Sequence, residues 1–548
     1  MRVREAHLVV LGLLILISIC FSSLFWLPNG EESLIARKGE YRPNLELVAR
    51  DQRILQERME KANIPAPPLP KPDVAVVPDN VVVVPDNSKP LDDSTIEGKR
   101  LKVKEMMKFA WDGYRKYAWG SNELKPISKT GHSGSVFGRG ELGATIVDAI
   151  DTLWIMGLTN EYEEAKKWVE MSLNIKENVK GDLSVFETNI RFVGGLLSMF
   201  ALSGDRMFVK KAEEVARLLL PAFDTPTGIP FSLINLQLGK ANNYGWASGG
   251  SSILSEFGSL QLEFDYLSNV TGDPIFSQKI ERINKVLDEL DKPDGLYPIY
   301  LNPHTGKWGS REYSMGAMAD SFYEYLLKTW IIGGKKDAKL KRTYDEAIFA
   351  MEKKLLFESR KEKFKYFANL KGSRVEHKME HLACFCAGMF ALQAANEVNT
   401  TIRLHYMRLA EDIAHTCHES YARTSFGLGP EAFQFNSEDR EAVGPRAKYY
   451  ILRPEVVEGW FYLWRINKDE KYRRWAWDMV LALEKHTKVG AGYSGIRDVY
   501  ASRAEHDDVQ QSFFLAETLK YLYLFFDDSL PLDQWVFNTE AHPLPVRG

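Results

Sequence analysis

The sequence predicts an all-α protein whose helices form two concentric rings, and three observations predict it. Strongly apolar segments recur from about Ser94 onward, each entered through a polar or acidic start, near Thr145, Glu187, Glu256, Asp320, Glu380, Glu455 and Asp508. Amphipathic stripes lie between them, such as Tyr162, Ala165, Trp168, Val169 and Leu173, or Phe276, Ile280, Ile283, Leu287 and Leu290. The spacing leaves room each time for one buried helix, one half-exposed helix and their loops, but it is too uneven for a solenoid of short repeats. Seven such pairs make an (α/α)7 barrel with its acidic helix starts gathered at one mouth.

The region before this pattern is of another kind. Leu8 to Leu27 is a 20-residue apolar run without a charged residue, long enough to cross a bilayer as one helix and longer than the core of most cleaved signal peptides. Arg2 and Arg4 precede it and Glu31 and Glu32 follow, which favours residues 1–7 as a cytoplasmic tail and 8–27 as a transmembrane signal anchor. Residues 28–93 read as a proline-rich lumenal stem, with valine runs set between prolines from Pro65 to Pro90. The barrel is then expected over 94–548.

Two features agree with a lumenal body. Asn269-Val270-Thr271 and Asn399-Thr400-Thr401 are acceptor sequons for N-glycosylation. Cys20 falls in the apolar run, leaving Cys384, Cys386 and Cys417, enough for one disulfide and one spare thiol in an oxidising compartment. The chain carries 70 basic and 74 acidic residues, so it lacks the charge footprint of a nucleic-acid binder.

The organising segment is Ser184 to Leu202, apolar almost all round and therefore expected to be buried among other helices. Its first turn carries Glu187 and, four residues on, Arg191, on one helical face. A capping charge offset by an ion pair is the favoured account of that pair on this stretch alone; a catalytic acid with an orienting arginine is the sharper one. Arg453-Pro454-Glu455-Val456-Val457-Glu458 repeats the theme, with proline at the first helical position and two glutamates ahead of the apolar Trp460 to Trp464. Asp320 opens another such helix, where a helix-start aspartate is the ordinary reading. Glu517 sits inside Phe513 to Thr518, and a carboxylate within an apolar helix needs a partner or a ligand.

His377-Lys378-Met379-Glu380-His381 matches the H-x-x-E-H pattern of inverted zinc proteases, which requires a helix and a third ligand. No third ligand accompanies it, so a polar helix start with His381 facing the barrel mouth is the better account. The last segment, Pro531 to Pro545, is turn-rich, and its Trp535 and Phe537 favour a packed plug over a frayed tail.

Taken together, the segments Gly143 to Leu153, Phe186 to Gly195, Ala247 to Ser252, Asp320 to Tyr325, Leu452 to Glu455, Gln510 to Thr518 and Phe537 to Pro543 resemble family 47 of the glycoside hydrolases, the class I α-1,2-mannosidases of the secretory pathway. The resemblance runs from about residue 100 onward. It implies the (α/α)7 barrel with a C-terminal plug, a bound calcium ion (Ca2+) and hydrolysis with inversion. By position, Glu187 resembles the family's general acid, Glu455 its favoured general base, and Asp320 its third essential carboxylate. Arg191, His381, Arg453, Glu458 and Glu517 fall where the family lines its mannose pocket, and Phe513 where a ring packs on the sugar. Thr539 matches the calcium ligand, and Cys384 with Cys417 the family's disulfide, leaving Cys386 free.

The implied chemistry suits the residues. Inversion needs an acid on the leaving oxygen and a base holding water on the opposite face, roughly 6.5–9.5 Å apart, so the two must sit on different helices. Met318, two residues before Asp320, is apolar as in the Golgi branch, whereas the endoplasmic-reticulum branch carries arginine there. The expected protein is therefore a single-pass type II Golgi membrane glycosidase that trims terminal α-1,2-linked mannose from high-mannose N-glycans. A mannose-glycan-binding lectin of the same fold, serving quality control, is the alternative; the retention of every matched carboxylate favours the enzyme.

Overall fold

The computed structural model describes residues 93–134, 136–435 and 444–547. The expected cytoplasmic tail, the membrane anchor at 8–27 and all but the last residue of the stem lie outside the described residues.

Among the described residues, fourteen helices carry the architecture, in alternating apolar and amphipathic pairs. The amphipathic set is α1 (Ile96–Tyr117), α3 (Thr159–Ser172), α5 (Arg206–Leu219), α7 (Ile275–Glu289), α9 (Ala338–Leu355), α11 (Thr400–Ala422) and α13 (Glu470–His486). The apolar set is α2 (Ala144–Ile155), α4 (Val185–Ser203), α6 (Gln261–Thr271), α8 (Asp320–Ile332), α10 (Leu382–Asn396), α12 (Glu455–Asn467) and α14 (residues 514–524). The predicted stripes are the buried faces: Tyr162, Ala165 and Val169 on α3, and Phe276, Ile280, Ile283 and Leu287 on α7. Burying each such large side chain stabilises the fold by about 1.5–3 kcal/mol.

Each apolar helix touches the next along the chain, and α14 touches α2, while each also packs on an amphipathic partner. Helix α4 is long and apolar enough to cross a membrane by composition, yet most of it is buried within the protein. Five amphipathic helices start on side-chain caps, from Thr95, Asp205, Asp337, Asn399 and Asp469. Among the apolar helices only α4 is capped this way, by Ser184, which accepts from the Glu187 amide at 3.2 Å.

Three boundaries differ from expectation. Glu380 lies in a strand, β3 (Lys378–Glu380), not at a helix start, and α10 begins after it. Its alternating Lys378, Met379 and Glu380 pair with β4 (Ala432–Gln434), as Met379 opposite Phe433 shows. Asp508 lies in a loop, and Glu256 on a single turn, Leu254–Phe257, that precedes α6. Strand β1 (Asp182–Ser184) pairs antiparallel with β2 (Leu233–Asn235) and leads straight into α4.

The C-terminal segment is an ordered hairpin, β5 (Trp535–Phe537) against β6 (Pro543–Pro545), with Val536 opposite Leu544. It packs on α4 and α8 and buries Phe537 completely. Gly194 and Gly195 make the approach possible. A Cβ on Gly194 would stand 2.6 Å from Asn538 Nδ2, and one on Gly195 would stand 2.7 Å from the Val147 carbonyl.

Candidate active site

The starts of α4, α8, α12 and α14 and the bend of the C-terminal hairpin converge on one cavity of ≈ 450 Å³. Of the residues singled out in the sequence, Glu187, Arg191, Asp320, Arg453, Glu455, Glu458, Phe513, Glu517 and Thr539 all line it. They come from four helices and a hairpin separated by hundreds of residues.

Glu187 occupies the first turn of α4. The helix widens just beyond it into a π-helical segment, Thr188–Val193, and α14 does the same at Phe514–Thr518 around Glu517. Such bulges inside helices are frequent at functional sites. Arg191 Nε donates to Glu187 Oε2 at 2.8 Å, and its Nη1 meets Asp148 Oδ2 at 3.2 Å and the Glu540 carboxylate. The guanidinium also lies 5.7 Å from the centre of the Phe513 ring. Arg191 is therefore the cation that three acidic side chains share.

Asp320 is the first residue of α8, and its Oδ1 accepts from the Ser321 amide at 2.9 Å. Burial, and secondarily the nearby Glu324 and Glu455, push its carboxyl up to about 8 despite that hydrogen bond. Met318 just before it holds a positive φ of 72°, a conformation that a non-glycine residue adopts at a cost.

Glu455 is held in the opposite state. It opens α12 after Pro454, where the helix dipole favours an anion. Its Oε2 meets His381 Nδ1 at 2.7 Å and its Oε1 lies 3.5 Å from Arg453 Nη1. Burial opposes ionisation, but the His381 hydrogen bond and Arg453 outweigh it and keep the carboxyl below its usual range. Arg453 is itself gripped through two nitrogens by Glu431.

His381 does not face the cavity. It is buried, and both ring nitrogens are engaged, with Glu455 and with the Tyr421 hydroxyl at 2.6 Å. The strand at Lys378–Glu380 also removes the helical spacing that a zinc pair with His377 requires, and His377 Nδ1 bonds the Tyr366 hydroxyl at 2.8 Å. The segment reads in sequence as a polar helix start; the pairing of Met379 with Phe433 draws it into a sheet instead.

Below these groups the cavity is crowded with carboxylates. Burial, then repulsion from Glu540, Glu455 and Glu458, raises Glu517 well above its ordinary value, and burial raises Glu540 and Glu458 likewise. Lys328, fully enclosed, pairs with Glu324 and lies 3.8 Å from Glu458. Thr539 sits beside them because the hairpin bend is tied on either side. Asn538 donates to the Ile190 carbonyl at 2.9 Å and Glu263 Oε1 at 2.7 Å, and accepts from the amides of Glu540 and His542 at 2.9 Å each.

Glu540, Asp148, Glu256, Glu324, Tyr244 and Trp246 belong to this neighbourhood without having been assigned a role from sequence. Signals existed for two of them. Glu324 stands one helical turn after Asp320, and Glu540 directly follows Thr539. The disulfide implied by the resemblance is present, Cys384 to Cys417, and Cys386 is free and buried. Asn269 is exposed, and Asn399 is half-buried while its side chain caps α11.

A cavity floored by carboxylates and walled by an arginine, a phenylalanine and hydrogen-bonding groups is built to hold and cleave a polyhydroxylated ligand. The profile of Glycosyl hydrolase family 47 matches residues 106–546. The chain is 58% identical over 458 residues to mannosyl-oligosaccharide 1,2-alpha-mannosidase IA of Sus scrofa, covering 83% of this chain and 69% of that one. It is 53% identical over 489 residues to mannosyl-oligosaccharide 1,2-alpha-mannosidase IB of Homo sapiens, covering 89% and 74%. Among solved structures, the alpha-1,2-mannosidase from Trichoderma reesei superposes with a TM-score of 0.76 at 27% identity, covering 82% of this chain and 99% of that one. This chain belongs to glycosyl hydrolase family 47, and it is a glycoside hydrolase of the class I α-1,2-mannosidase type.

Proposed function

We propose that the chain trims terminal α-1,2-linked mannose from high-mannose N-glycans with inversion, using Glu455 as general base and a carboxylic acid across the cavity as proton donor. The observation that carries this reading is the unlike setting of two carboxyls in one cavity: Glu455 is held by His381 at 2.7 Å and faces Arg453, which lower its pKa, whereas burial raises Asp320 to about 8. A base must be ionised to take a proton from water, a condition that Glu455 meets more readily. Water held by Glu455 attacks the anomeric carbon, the bond to the leaving oxygen breaks, and that oxygen takes a proton from the acid.

Position in the family motif gives the acid to Glu187. A second reading gives it to Asp320, whose carboxyl burial raises to about 8, while Glu187 is engaged by Arg191 Nε at 2.8 Å. Phe513 supplies the apolar face against the sugar ring, and Arg191, Arg453, Glu458 and Glu517 supply hydrogen bonds to its hydroxyls. His381 serves the site through Glu455.

The residues present fit calcium. The cavity floor offers oxygen donors only, several carboxylates there repel one another, and Lys328 and Arg191 are their cations. Hard oxygen donors without sulfur or free imidazole suit calcium. Thr539 would hold the ion through its carbonyl and hydroxyl oxygens, with water and sugar hydroxyls completing the shell. When bound, calcium neutralises the floor and anchors sugar hydroxyls there.

The closed sequence of helix contacts supports an (α/α)7 barrel plugged by the C-terminal hairpin, spanning 94–548. The apolar run at 8–27, the stem and Met318 support a type II Golgi membrane protein with this body in the lumen, glycosylated at Asn269 and Asn399. The test is proton NMR of mannose as it is released from a Man9 oligosaccharide. The β anomer is expected first; α-mannose as the first product overturns inversion, and binding without release overturns hydrolysis.

A further inference from the structure

The hydrogen bond from His381 to Glu455 leaves the other ring nitrogen of His381 facing the protein interior, and one side chain meets it there. Tyr421, from the last turn of α11, places its hydroxyl 2.6 Å from His381 Nε2. Both residues are buried, and neither lines the cavity.

The three groups define a chain of hydrogen bonds. Ionised Glu455 accepts, so His381 Nδ1 carries the hydrogen. The other ring nitrogen, Nε2, is buried and needs a partner of its own. The Tyr421 hydroxyl is the partner in place. Without it, a rotated ring competes with the arrangement that points N–H at Glu455.

The surroundings hold this contact from both ends. The His381 amide donates to the Glu431 carbonyl at 2.8 Å, so the imidazole hangs from the same residue that grips Arg453. The disulfide joins Cys384, three residues after His381, to Cys417, one turn before Tyr421. Gly429 makes room for the tyrosine ring, since a Cβ there would stand 2.2 Å from Tyr421 Cε2. The ring is further boxed by Tyr450 at 6.2 Å and Trp460 at 5.8 Å between centroids.

We propose that Tyr421 is a positioning residue of the hydrolytic step: its hydroxyl fixes the orientation of the His381 ring, which in turn fixes the Glu455 carboxylate against its water. The inference rests on the reading of Glu455 as the base. It assigns Tyr421 no contact with the sugar, so its removal slows turnover while leaving substrate binding alone.

The experiment compares Tyr421→Phe, His381→Asn, the double variant and Glu455→Gln in the full chain, with a Man9 oligosaccharide as substrate. Tyr421→Phe is expected to lower kcat about 10- to 100-fold, the scale of a small misplacement of a catalytic group, with KM changed less than about two-fold. In the double variant it adds nothing to the loss caused by His381→Asn. Wild-type kcat in Tyr421→Phe, or a penalty that multiplies in full with that of His381→Asn, overturns the proposal. Should Tyr421→Phe not fold, Gly429→Ala displaces the ring while keeping the hydroxyl, and the same kcat loss at constant KM is expected. Undiminished turnover by Glu455→Gln overturns the base itself. A dead Glu455→Gln beside a fully active Tyr421→Phe overturns only the role of Tyr421.

Discussion

His542 Nδ1 lies 2.8 Å from Asp151 Oδ2, joining the C-terminal hairpin to the first apolar helix, and both side chains are completely buried. The same aspartate receives Lys520 Nζ at 3.0 Å, and His542 Nε2 faces Asp148 Oδ1 at 3.4 Å. Asp148 also meets Arg191. One buried ionic network therefore carries the loop that presents Thr539.

This network makes stability depend on pH at both ends. Burial disfavours the imidazolium of His542, but Asp151 and Asp148 outweigh it and raise its pKa. Its contribution is complete below the unfolded imidazole value and is lost as pH rises through the raised folded value. Burial opposes ionisation of Asp151 as well, but Lys520 and His542 outweigh it and depress its pKa, so its contribution is lost as pH falls through that depressed value. Thermal melts across pH are expected to show a loss on each side. His542→Asn should cost about 3–5 kcal/mol at mildly acidic pH and remove the alkaline loss.

Gly195→Ala tests the close packing of α4 on α2 and on His542 of the hairpin. The added methyl meets the Val147 backbone carbonyl, which cannot step aside as a flexible side chain does, and stands 3.2 Å from the His542 ring. A loss of about 1–3 kcal/mol is expected in denaturant unfolding.

The disulfide spans 33 residues, a loop whose closure stabilises by roughly 3–4 kcal/mol in the chain-entropy account. Cys384→Ser with Cys417→Ser should lose about that much in denaturant unfolding, whereas Cys386→Ala, which removes one buried sulfur, should lose about 1 kcal/mol.

Chelation should abolish mannose release, and added calcium should restore it. Calcium should also raise the melting temperature of the chelated protein, as any ligand of the folded state does, and Thr539→Ala should lose most of that rise. A chelated protein that still turns over contradicts the calcium assignment.

The two candidate acids separate on a substrate that needs little protonation. With α-mannosyl fluoride, the variant lacking the true acid keeps far more of its activity than it does on Man9, whereas Glu455→Gln loses both. Rescue of Asp320→Asn but not of Glu187→Gln would assign the proton to Asp320, and the reverse to Glu187.

Much of this arrangement was legible in the sequence because it is written in helix periodicity and in charges where apolar helices begin. Glu455 and Glu517 broke a pattern that burial alone would favour, whereas Glu187 and Asp320 read as ordinary helix-start acids until the family motifs were set beside them. The side chains behind them were not legible. Tyr421 lies on the inner face of an amphipathic helix and looks like any core aromatic. His381 was misplaced because its strand pairs with residues some fifty positions later, a tertiary preference that local pattern does not carry. Glu540 had only its place after Thr539 to mark it, in a turn-rich segment where an acidic residue is ordinary until Arg191 is seen beside it.

The bend that presents Thr539 and Glu540 is translated last among the elements it touches, with 391 residues separating His542 from Asp151. Most of the helices are made before the piece that completes the floor exists. During synthesis the nascent body has acidic walls and no base plate, so catalytic competence arrives in one late docking step rather than accumulating helix by helix.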